Sequence, residues 1–161
     1  MGKTVGRIPG DLKPDSVDQL VKLALGKRVL QLGCYCGRGL VVVADCAAEV
    51  WVLDDFRYLT GISGVVEELK ANVDRCVAED KTINLLYGNA EGWAVPFGSR
   101  DLNGTGVEVV YRDANRSEED RKHDDQLAYN VLRKQGGIYV WHDADHDLKW
   151  LQVEPVSVEV N

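Results

Sequence analysis

The sequence predicts an α/β protein: a doubly wound, mostly parallel sheet with helices on both faces. Short apolar runs of strand length alternate along the chain with longer segments of helical spacing. The first such run, 29–32, ends abruptly in a glycine-bearing loop, 33–39, and an apolar segment of helical composition, 40–48, follows at once. A strand, a glycine turn and a helix in this order present backbone N–H groups and a helix N-terminus to a ligand.

The first half of the chain alternates strands and helices behind an N-terminal arm. Residues 1–15 are rich in glycine, proline and lysine, and Asp15 or Ser16 is a candidate cap for a short helix that Gly26 ends. The second strand is short, β-branched and closed by acid, which favours strand over helix. The predicted elements after the first helix are strand 28–32, helix 39–48, strand 49–54, helix 61–77 and strand 82–87.

The second half continues the alternation after a loop at 93–105. Ser117 is a plausible N-cap because acids fill the turn that follows it. Gly136 and Gly137 stop that helix, and Pro155 suits an edge strand. The predicted elements are strand 106–111, helix 117–134, strand 138–141 and a last strand at about 152–160, in which Val156, Val158 and Val160 alternate with polar residues.

Length, charge and cysteine content narrow the class of protein. The 161 residues fit one domain, 1–161, with an arm and short helix at 1–26, a core at 27–143 and a short C-terminal part at 144–161. The net charge of -7 argues against a nucleic-acid partner. With no long apolar run and no signal-like start, we expect a cytoplasmic protein that does not bind membranes.

The cysteines favour reduced thiols over a metal site or disulfides. No C-x-x-C pair is present, and no second Cys or His pair follows the closely spaced first two at ligand distance. The four residues are Cys34, Cys36, Cys46 and Cys76.

Polar residues gather where the predicted strands end. In sheets of this kind ligands bind outside the carboxyl ends of the strands, at the topological switch. Loops are polar in any case, so one such end means little, whereas five in succession favour a site. The strand ends are 33–39, Asp54 with Asp55, 88–91, Asp113, and His142 with Asp143.

Asp54 indicates what kind of ligand this site takes. It follows Gly33 by 21 positions and closes the second strand, where a carboxylate can accept hydrogen bonds from both hydroxyls of a ribose. Asp55 is either part of that site or a solvated neighbour. The dinucleotide spacing G-x-G-x-x-G fails from Gly33 and from Gly37, and the Gly-Lys-Ser/Thr phosphate loop is absent. A nucleoside without phosphates fits these residues better.

The motifs resemble those of class I S-adenosylmethionine-dependent methyltransferases, closest to the catechol O-methyltransferase-like and small bacterial O-methyltransferase branch. An aromatic residue commonly replaces the middle glycine there, as Tyr35 does here. Two departures are Gln31, where an acid is usual, and Asn89, where an aspartate is common. The matching segments, in the family's order, are VLQLGCYCGRG (29–39), WVLDD (51–55), YGNAE (87–91), VVYRDAN (109–115) and LRKQGGIYVWHD (132–143).

The resemblance implies a Rossmann-like sheet of strand order 3-2-1-4-5 with a C-terminal edge strand, at minimal size. It also implies how S-adenosylmethionine, or its product S-adenosylhomocysteine, binds. Gly33, Cys34, Tyr35 and Gly37 would contact the methionine end of the cofactor. Asp54 would bind the ribose, and Asp55 would lie beside the adenosine. Asn89, Ala90 and Glu91 would surround the adenine, and Asp113 would lie beneath the sulfonium.

Three interpretations of the catalytic end stay open. In metal-dependent relatives, the positions of Asp113, His142 and Asp143 hold a divalent cation such as Mg²⁺, which lowers the pKa of a substrate hydroxyl. Alternatively, His142 is a general base without metal. The third interpretation is that 142–147 is only a polar loop. Successive strand residues face opposite ways, so His142 and Asp143 face one site only if the strand has already turned there.

The expected activity is methyl transfer, most naturally to an oxygen of a small molecule or saccharide. Relatives usually carry more chain after the fifth strand. Either a partner subunit, such as a second copy in a homodimer, completes the substrate side, or the acceptor is large or extended, or methylation has been lost. The alternative function is a catalytically idle cofactor-binding or assembly subunit. A nicotinamide-dependent oxidoreductase is disfavoured by the glycine spacing.

Overall fold

A computed structural model of the chain describes residues 6–10, 12–56, 64–94, 106–113 and 117–156. Its described elements alternate as the sequence predicts. In chain order they are α1 (Pro14–Ala24), β1 (Arg28–Leu32), α2 (Arg38–Cys46), β2 (Glu49–Asp54), α3 (Val65–Cys76), β3 (Ile83–Tyr87), α4 (Ala90–Ala94), β4 (Val109–Arg112), α5 (Glu118–Leu132), β5 (Gly137–His142) and β6 (Leu148–Val153).

The strands form one sheet in the order β3-β2-β1-β4-β5-β6. The first five strands are parallel to their neighbours, and β6 runs antiparallel to β5. The fold class and the strand order 3-2-1-4-5 with a C-terminal edge strand are therefore confirmed.

The position predicted for the last strand is wrong. We expected it at 152–160, whereas β6 spans Leu148–Val153 and residues 157–160 lie outside the described ranges. The chain reverses directly after β5, in a turn where the Asp143 N–H donates to the Asp147 carbonyl at 2.9 Å. His146 takes a left-handed φ of 60° in this turn. The alternating valines near the C-terminus resembled a strand more closely than β6 itself, whose Trp150 is half exposed.

The two faces of the sheet carry separate cores. Side chains of one face, among them Val29 and Val109, pack with α1, α2 and α3, and we call this the α2 face. On the other face, Leu30 and Val110 pack with α4 and α5. Because strand side chains alternate with period two, each strand contributes to both cores, which explains why the strands are apolar almost throughout.

The N-terminus of α5 follows the predicted cap. The Ser117 hydroxyl accepts the Asp120 N–H at 3.1 Å, and three acids occupy the first turn, where the helix dipole favours them. In contrast, α1 begins at Pro14, and its N-cap, Lys13, makes no side-chain capping hydrogen bond. Within the described ranges, no helix is both long and apolar enough to cross a membrane.

Gly137, at the start of β5, lies where the backbone approaches residue 108 just before β4, and a substitution there tests how close this approach is. A Cβ there would collide with the Glu108 carbonyl oxygen, which cannot yield easily because it accepts the Ile138 N–H at 2.9 Å. We expect Gly137→Ala to lower the free energy of unfolding by about 1–3 kcal/mol, the usual cost of overpacking. Urea denaturation measures this. Gly92→Ala on exposed α4 is the control, since its Cβ would meet nothing closer than 3.6 Å. Equal effects of the two substitutions would contradict the close approach.

Candidate functional site

The glycine loop connects β1 to α2 through three residues with left-handed φ angles. Gly33 has φ 83° and Gly37, immediately before α2, has φ 91°. Tyr35, between them, has φ 44° and is 42% exposed. A turn closes the loop, since the Gly37 N–H donates to the Cys34 carbonyl at 2.7 Å. Cys34 and Cys36 are buried. The loop therefore directs its thiols inward and leaves Tyr35 as the side chain most open to a ligand.

Asp54 ties this loop to the end of β2. One carboxylate oxygen accepts the Cys34 N–H at 2.8 Å, and the other accepts the Phe56 N–H at 2.8 Å. The residue is only 8% exposed. Each carboxylate oxygen has two lone pairs, so the group retains acceptor capacity for the ribose hydroxyls that the sequence assigned to it. The hydrogen bonds that Asp54 makes in this structure hold the glycine loop in place.

The Cys34 thiol shares this environment. Its sulfur lies 3.5 Å from Asp54 Oδ2, and the residue is buried. Burial raises the pKa of the Cys34 thiol, and the negative charge of Asp54 raises it further. The side chain is therefore a neutral hydrogen-bond donor to Asp54 rather than a nucleophile.

The residues assigned to adenosine meet at the ends of β2 and β3. The Asn89 amide donates to Asp55 at 3.3 Å, while its oxygen accepts the Gly92 N–H at 2.9 Å at the start of α4. Glu91 is exposed, whereas the Ala90 side chain is buried in the α5-side core, so only its backbone could face a ligand. The half-buried Trp93 lies against the backbone of Gly88.

Four polar side chains from three strands form a cluster on the α2 face, and we call it the floor cluster: Gln31, Tyr111, Asp113 and His142. The Gln31 amide donates to the Gly33 carbonyl at 2.9 Å and to Asp113 at 3.3 Å. His142 Nε2 lies 2.7 Å from the Tyr111 hydroxyl and 3.6 Å from Asp113 Oδ1. The His142 and Asp113 side chains are only 8% and 11% exposed.

The register of the sheet explains this cluster. Gln31 pairs with Tyr111, and Tyr111 pairs with Val140, so these three side chains share one face. Asp113 and His142 lie two residues further along their strands and therefore face the same way. The sequence pointed to Asp113 and His142 through their places at strand ends. It missed Tyr111, although period two counted back from Asp113 would have found it.

The start of α2 closes over this cluster. A Cβ at Gly39 would overlap the Asp113 carboxylate and approach the Tyr111 ring within 3.0 Å. Asp113 thus lies against the first turn of a helix, where the dipole stabilises a negative charge. Only glycine at position 39 allows this approach.

The structure does not assemble the predicted metal-ligand trio. The Asp143 carboxylate accepts the Asp145 and Asp147 N–H groups at 3.0 and 2.9 Å and so belongs to the β5–β6 turn. These backbone bonds lower the pKa of Asp143. In the described ranges, no group of three His, Cys, Asp or Glu side chains could hold a metal ion. His142 and Asp143 face opposite ways, as strand geometry requires.

The N-terminal arm crosses from α2 to the β5–β6 turn. The Arg38 guanidinium donates to the Gly10 carbonyl at 3.0 Å, and Lys13 pairs with Asp147 at 2.8 Å. Ile8 and Leu12 are buried in the α2-face core. The first attachment neighbours Gly39 and the second follows His142 closely in sequence, so the arm is attached on both sides of the floor cluster.

No protein-family model and no curated protein matches this sequence. Several solved structures are similar to it in fold. A proposed caffeoyl-CoA O-methyltransferase of Staphylococcus aureus is 17% identical, with a TM-score of 0.58 over 85% of this chain and 60% of that one. A precorrin-8w decarboxylase of Methanobacterium thermoautotrophicum is 13% identical, with a TM-score of 0.56 over 84% and 66%. An S-adenosylmethionine-dependent methyltransferase of Agrobacterium tumefaciens is 14% identical, with a TM-score of 0.55 over 83% and 46%.

This chain has the class I fold of S-adenosylmethionine-dependent methyltransferases. At these identities the likeness extends to the fold alone, and it does not single out the catechol O-methyltransferase-like branch. The chain spans from about half to two thirds of the length of those three proteins. Because one of the three is described as a decarboxylase, the fold alone does not determine the reaction or the substrate.

The Asp54 hydrogen bonds make a prediction about stability. Asp54→Asn keeps one oxygen but places an NH₂ group against a backbone N–H donor that is already buried. We expect the free energy of unfolding to fall by about 1–3 kcal/mol, the cost of a buried group left unsatisfied. Urea denaturation measures the change, with Asp74→Asn on the exposed side of α3 as the matched control. If both variants unfold like the wild type, Asp54 does not hold the loop.

The raised pKa of the Cys34 thiol makes stability depend on alkaline pH. The folded chain binds this proton more tightly than the unfolded chain, so its contribution is complete below the ordinary pKa of 9.0 and is lost as pH rises further. We expect the free energy of unfolding to fall above pH 9. Cys34→Ser should reduce that slope by up to about 1.4 kcal/mol per pH unit. Urea titrations at pH 8, 9 and 10 under reducing conditions test this, with Cys76→Ser as control. An unchanged slope in Cys34→Ser would overturn the assignment.

Proposed function

We propose that this chain is an S-adenosylmethionine-dependent methyltransferase that acts on an oxygen of a small molecule or saccharide. The observation that carries the proposal is the arrangement at the carboxyl ends of five neighbouring parallel strands. There the glycine loop is fixed by Asp54, Asn89 meets Asp55, and Asp113 meets His142. In a class I fold this is the side of the sheet on which a ligand would lie.

The chemistry of these residues fits an adenosyl sulfonium better than a dinucleotide. The side chains at the strand ends are carboxylates and amides, which suit ribose hydroxyls and a positive charge. The guanidinium of Arg38, beside the loop, is bonded to the Gly10 carbonyl. A pyrophosphate would meet the carboxylates of Asp54 and Asp113 with no arginine or lysine from the loop turned toward it. Buried Gln31 Oε1 and His142 Nδ1 have no hydrogen-bond partner among the described residues.

S-adenosylmethionine would supply an already activated methyl group, so the chain has to position the acceptor and remove a proton. Gly33, Tyr35 and Gly37 would hold the methionine end, and Asp113 would face the sulfonium. His142 would accept the hydroxyl proton at Nδ1, because Nε2 is already occupied by Tyr111. Methyl transfer would form the oxygen–methyl bond and break the sulfur–methyl bond, with S-adenosylhomocysteine as the leaving group. We route no step through a divalent cation, because Asp143 is held in the β5–β6 turn.

Access to His142 requires movement. Its Nδ1 is closed to solvent, so an acceptor hydroxyl reaches this atom only when a covering segment shifts. We propose the arm as this segment, since its Lys13–Asp147 ion pair is exposed at both ends and such pairs contribute little to stability. A second copy of the chain that pairs along the open edge of β6 is our proposal for what completes the substrate side.

The same closure favours a second candidate function, an idle cofactor-binding or assembly subunit. Such a protein would keep Asp54 and the glycine loop but would leave His142 permanently covered. The two functions differ in turnover. Incubation with labelled S-adenosylmethionine and a panel of catechols, phenols and saccharides, with and without Mg²⁺, separates them. Methyl transfer to any acceptor supports the enzyme, and binding without transfer to any of them supports the idle subunit.

Binding of S-adenosylhomocysteine is the direct test of the cofactor. We expect a dissociation constant in the micromolar range, about -8 kcal/mol, by calorimetry. Asp54→Ala should weaken binding at least about tenfold, because it removes both the ribose acceptor and the support of the loop. Asp80→Asn, on an exposed turn, should bind like the wild type. An absence of heat from the folded wild-type protein, together with no thermal shift, would sink the proposal.

A further inference from the structure

The hydroxyl of Tyr111 is a buried polar group that the proposed reaction does not use. Its side chain is fully buried on β4, where phenylalanine would fill the same space without a polar atom. Burial of a hydroxyl in a core is costly unless a hydrogen bond compensates it. The Tyr111 hydroxyl lies 2.7 Å from His142 Nε2, and the two rings meet edge to face with centroids 5.6 Å apart.

Two oxygen atoms lie close to Nε2 of the His142 imidazole. One is the Tyr111 hydroxyl oxygen, and the other is Asp113 Oδ1 at 3.6 Å. A carboxylate so close favours a proton on Nε2, because a lone pair there would face negative charge. With Nε2 protonated, the tyrosine oxygen accepts that hydrogen, and the lone pair of the neutral ring lies on Nδ1.

Gln31 fixes the carboxylate in this arrangement. Its amide nitrogen donates to Asp113 Oδ2 and to the Gly33 carbonyl. The other oxygen, Oδ1, is the one directed at the imidazole. A continuous series of contacts thus runs from the glycine loop through Gln31 and Asp113 to His142. The Tyr111 hydroxyl, which contacts His142 Nε2, is its last member.

We propose that Tyr111 is a positioning residue that selects the tautomer of His142. Its oxygen, together with the carboxylate of Asp113, holds the proton on Nε2 and leaves Nδ1 as the proton-accepting atom. The catalytic consequence rests on the proposed function, whereas the tautomer is a property of the chain alone. The opposite arrangement, with the tyrosine donating to Nε2, would place the proton on Nδ1 and would prevent that atom from acting as a base.

The tautomer can be read by nuclear magnetic resonance without any ligand. The chain has three histidines, and His123→Gln with His146→Asn leaves the signals of His142 alone. Asparagine suits position 146 because it tolerates the left-handed φ found there. Long-range ¹H–¹⁵N spectra of the neutral ring should show the Nε2–H form as the single species. A dominant Nδ1–H form in the otherwise wild-type protein would overturn the proposal.

Tyr111→Phe tests the selection itself. We expect the His142 signals to change from the single Nε2–H form to a mixture of tautomers. Tyr139→Phe is the matched control, since it removes a buried hydroxyl bonded to Asp125 on the other face of the sheet. It should leave the His142 spectrum unchanged. A His142 spectrum that Tyr111→Phe does not alter, or that both variants alter equally, would contradict the proposal, and if Tyr111→Phe fails to fold, the wild-type tautomer alone decides.

Kinetics supply a readout that separates this proposal from the proposed function. With an accepted substrate, Tyr111→Phe should lower kcat about 10- to 100-fold and change the KM for S-adenosylmethionine less than about twofold. A rise in KM at constant kcat would show a role in binding and would overturn the positioning role. Failure of the folded wild type to bind S-adenosylhomocysteine would refute the methyltransferase, while the resonance experiment would still decide the tautomer.

Discussion

The carboxylate of Asp54 is the interaction on which the rest of the site depends. It accepts backbone N–H groups from Cys34 and Phe56, on both sides of the crevice between β1 and β2. A loop that leaves a buried strand exposes N–H groups which the sheet no longer satisfies, and these groups need a fixed acceptor. One buried carboxylate serves both segments and so links the glycine loop to the end of β2.

The floor cluster illustrates a second constraint, the period of the β-strand. On the strands that carry Gln31, Tyr111 and His142, the preceding positions on the α2 face are apolar: Val29, Val109, and Val140 with Ile138. Each strand changes from valine or isoleucine to a polar side chain on one face as it approaches its carboxyl end. The partly desolvated surroundings strengthen the hydrogen bonds among these groups and make any unpaired atom costly.

Much of this arrangement was predictable from local patterns. The strands 28–32 and 49–54 were predicted at the bounds that the structure gives, because each is short and closed by a clear signal, a glycine after the first and an aspartate at the end of the second. The strand order followed from a family resemblance, and polar strand ends identified Asp54, Asp113 and His142. Long-range geometry was harder to predict.

The errors have physical causes. Asp143 looked like a ligand beside His142, whereas its carboxylate is taken by the N–H groups of a turn whose geometry the sequence does not display. Tyr111 was assigned no role from the sequence, because only the pairing of β4 with β5 places its hydroxyl beside an imidazole. In each case the decisive contact joins residues whose meeting depends on strand register or on a tight turn, and neither follows from composition or spacing.

The distribution of charge gives the site its character. Arg112, next to Asp113 in sequence, points to the opposite face, where it pairs with Asp125 at 3.1 Å and lies over the Tyr139 ring. Burial raises the pKa of Tyr139, so its hydroxyl stays a neutral donor to Asp125 rather than a competing anion. Because strand side chains alternate, the Arg112 guanidinium lies on the face opposite the floor cluster. The Arg38 guanidinium is hydrogen-bonded to the Gly10 carbonyl. Among the residues that the structure describes, Asp54 accepts backbone N–H groups, and Asp113 accepts the Gln31 amide with His142 beside it. The negative charge of these two carboxylates suits the cationic, hydroxyl-rich ligand that we propose and would repel a phosphate.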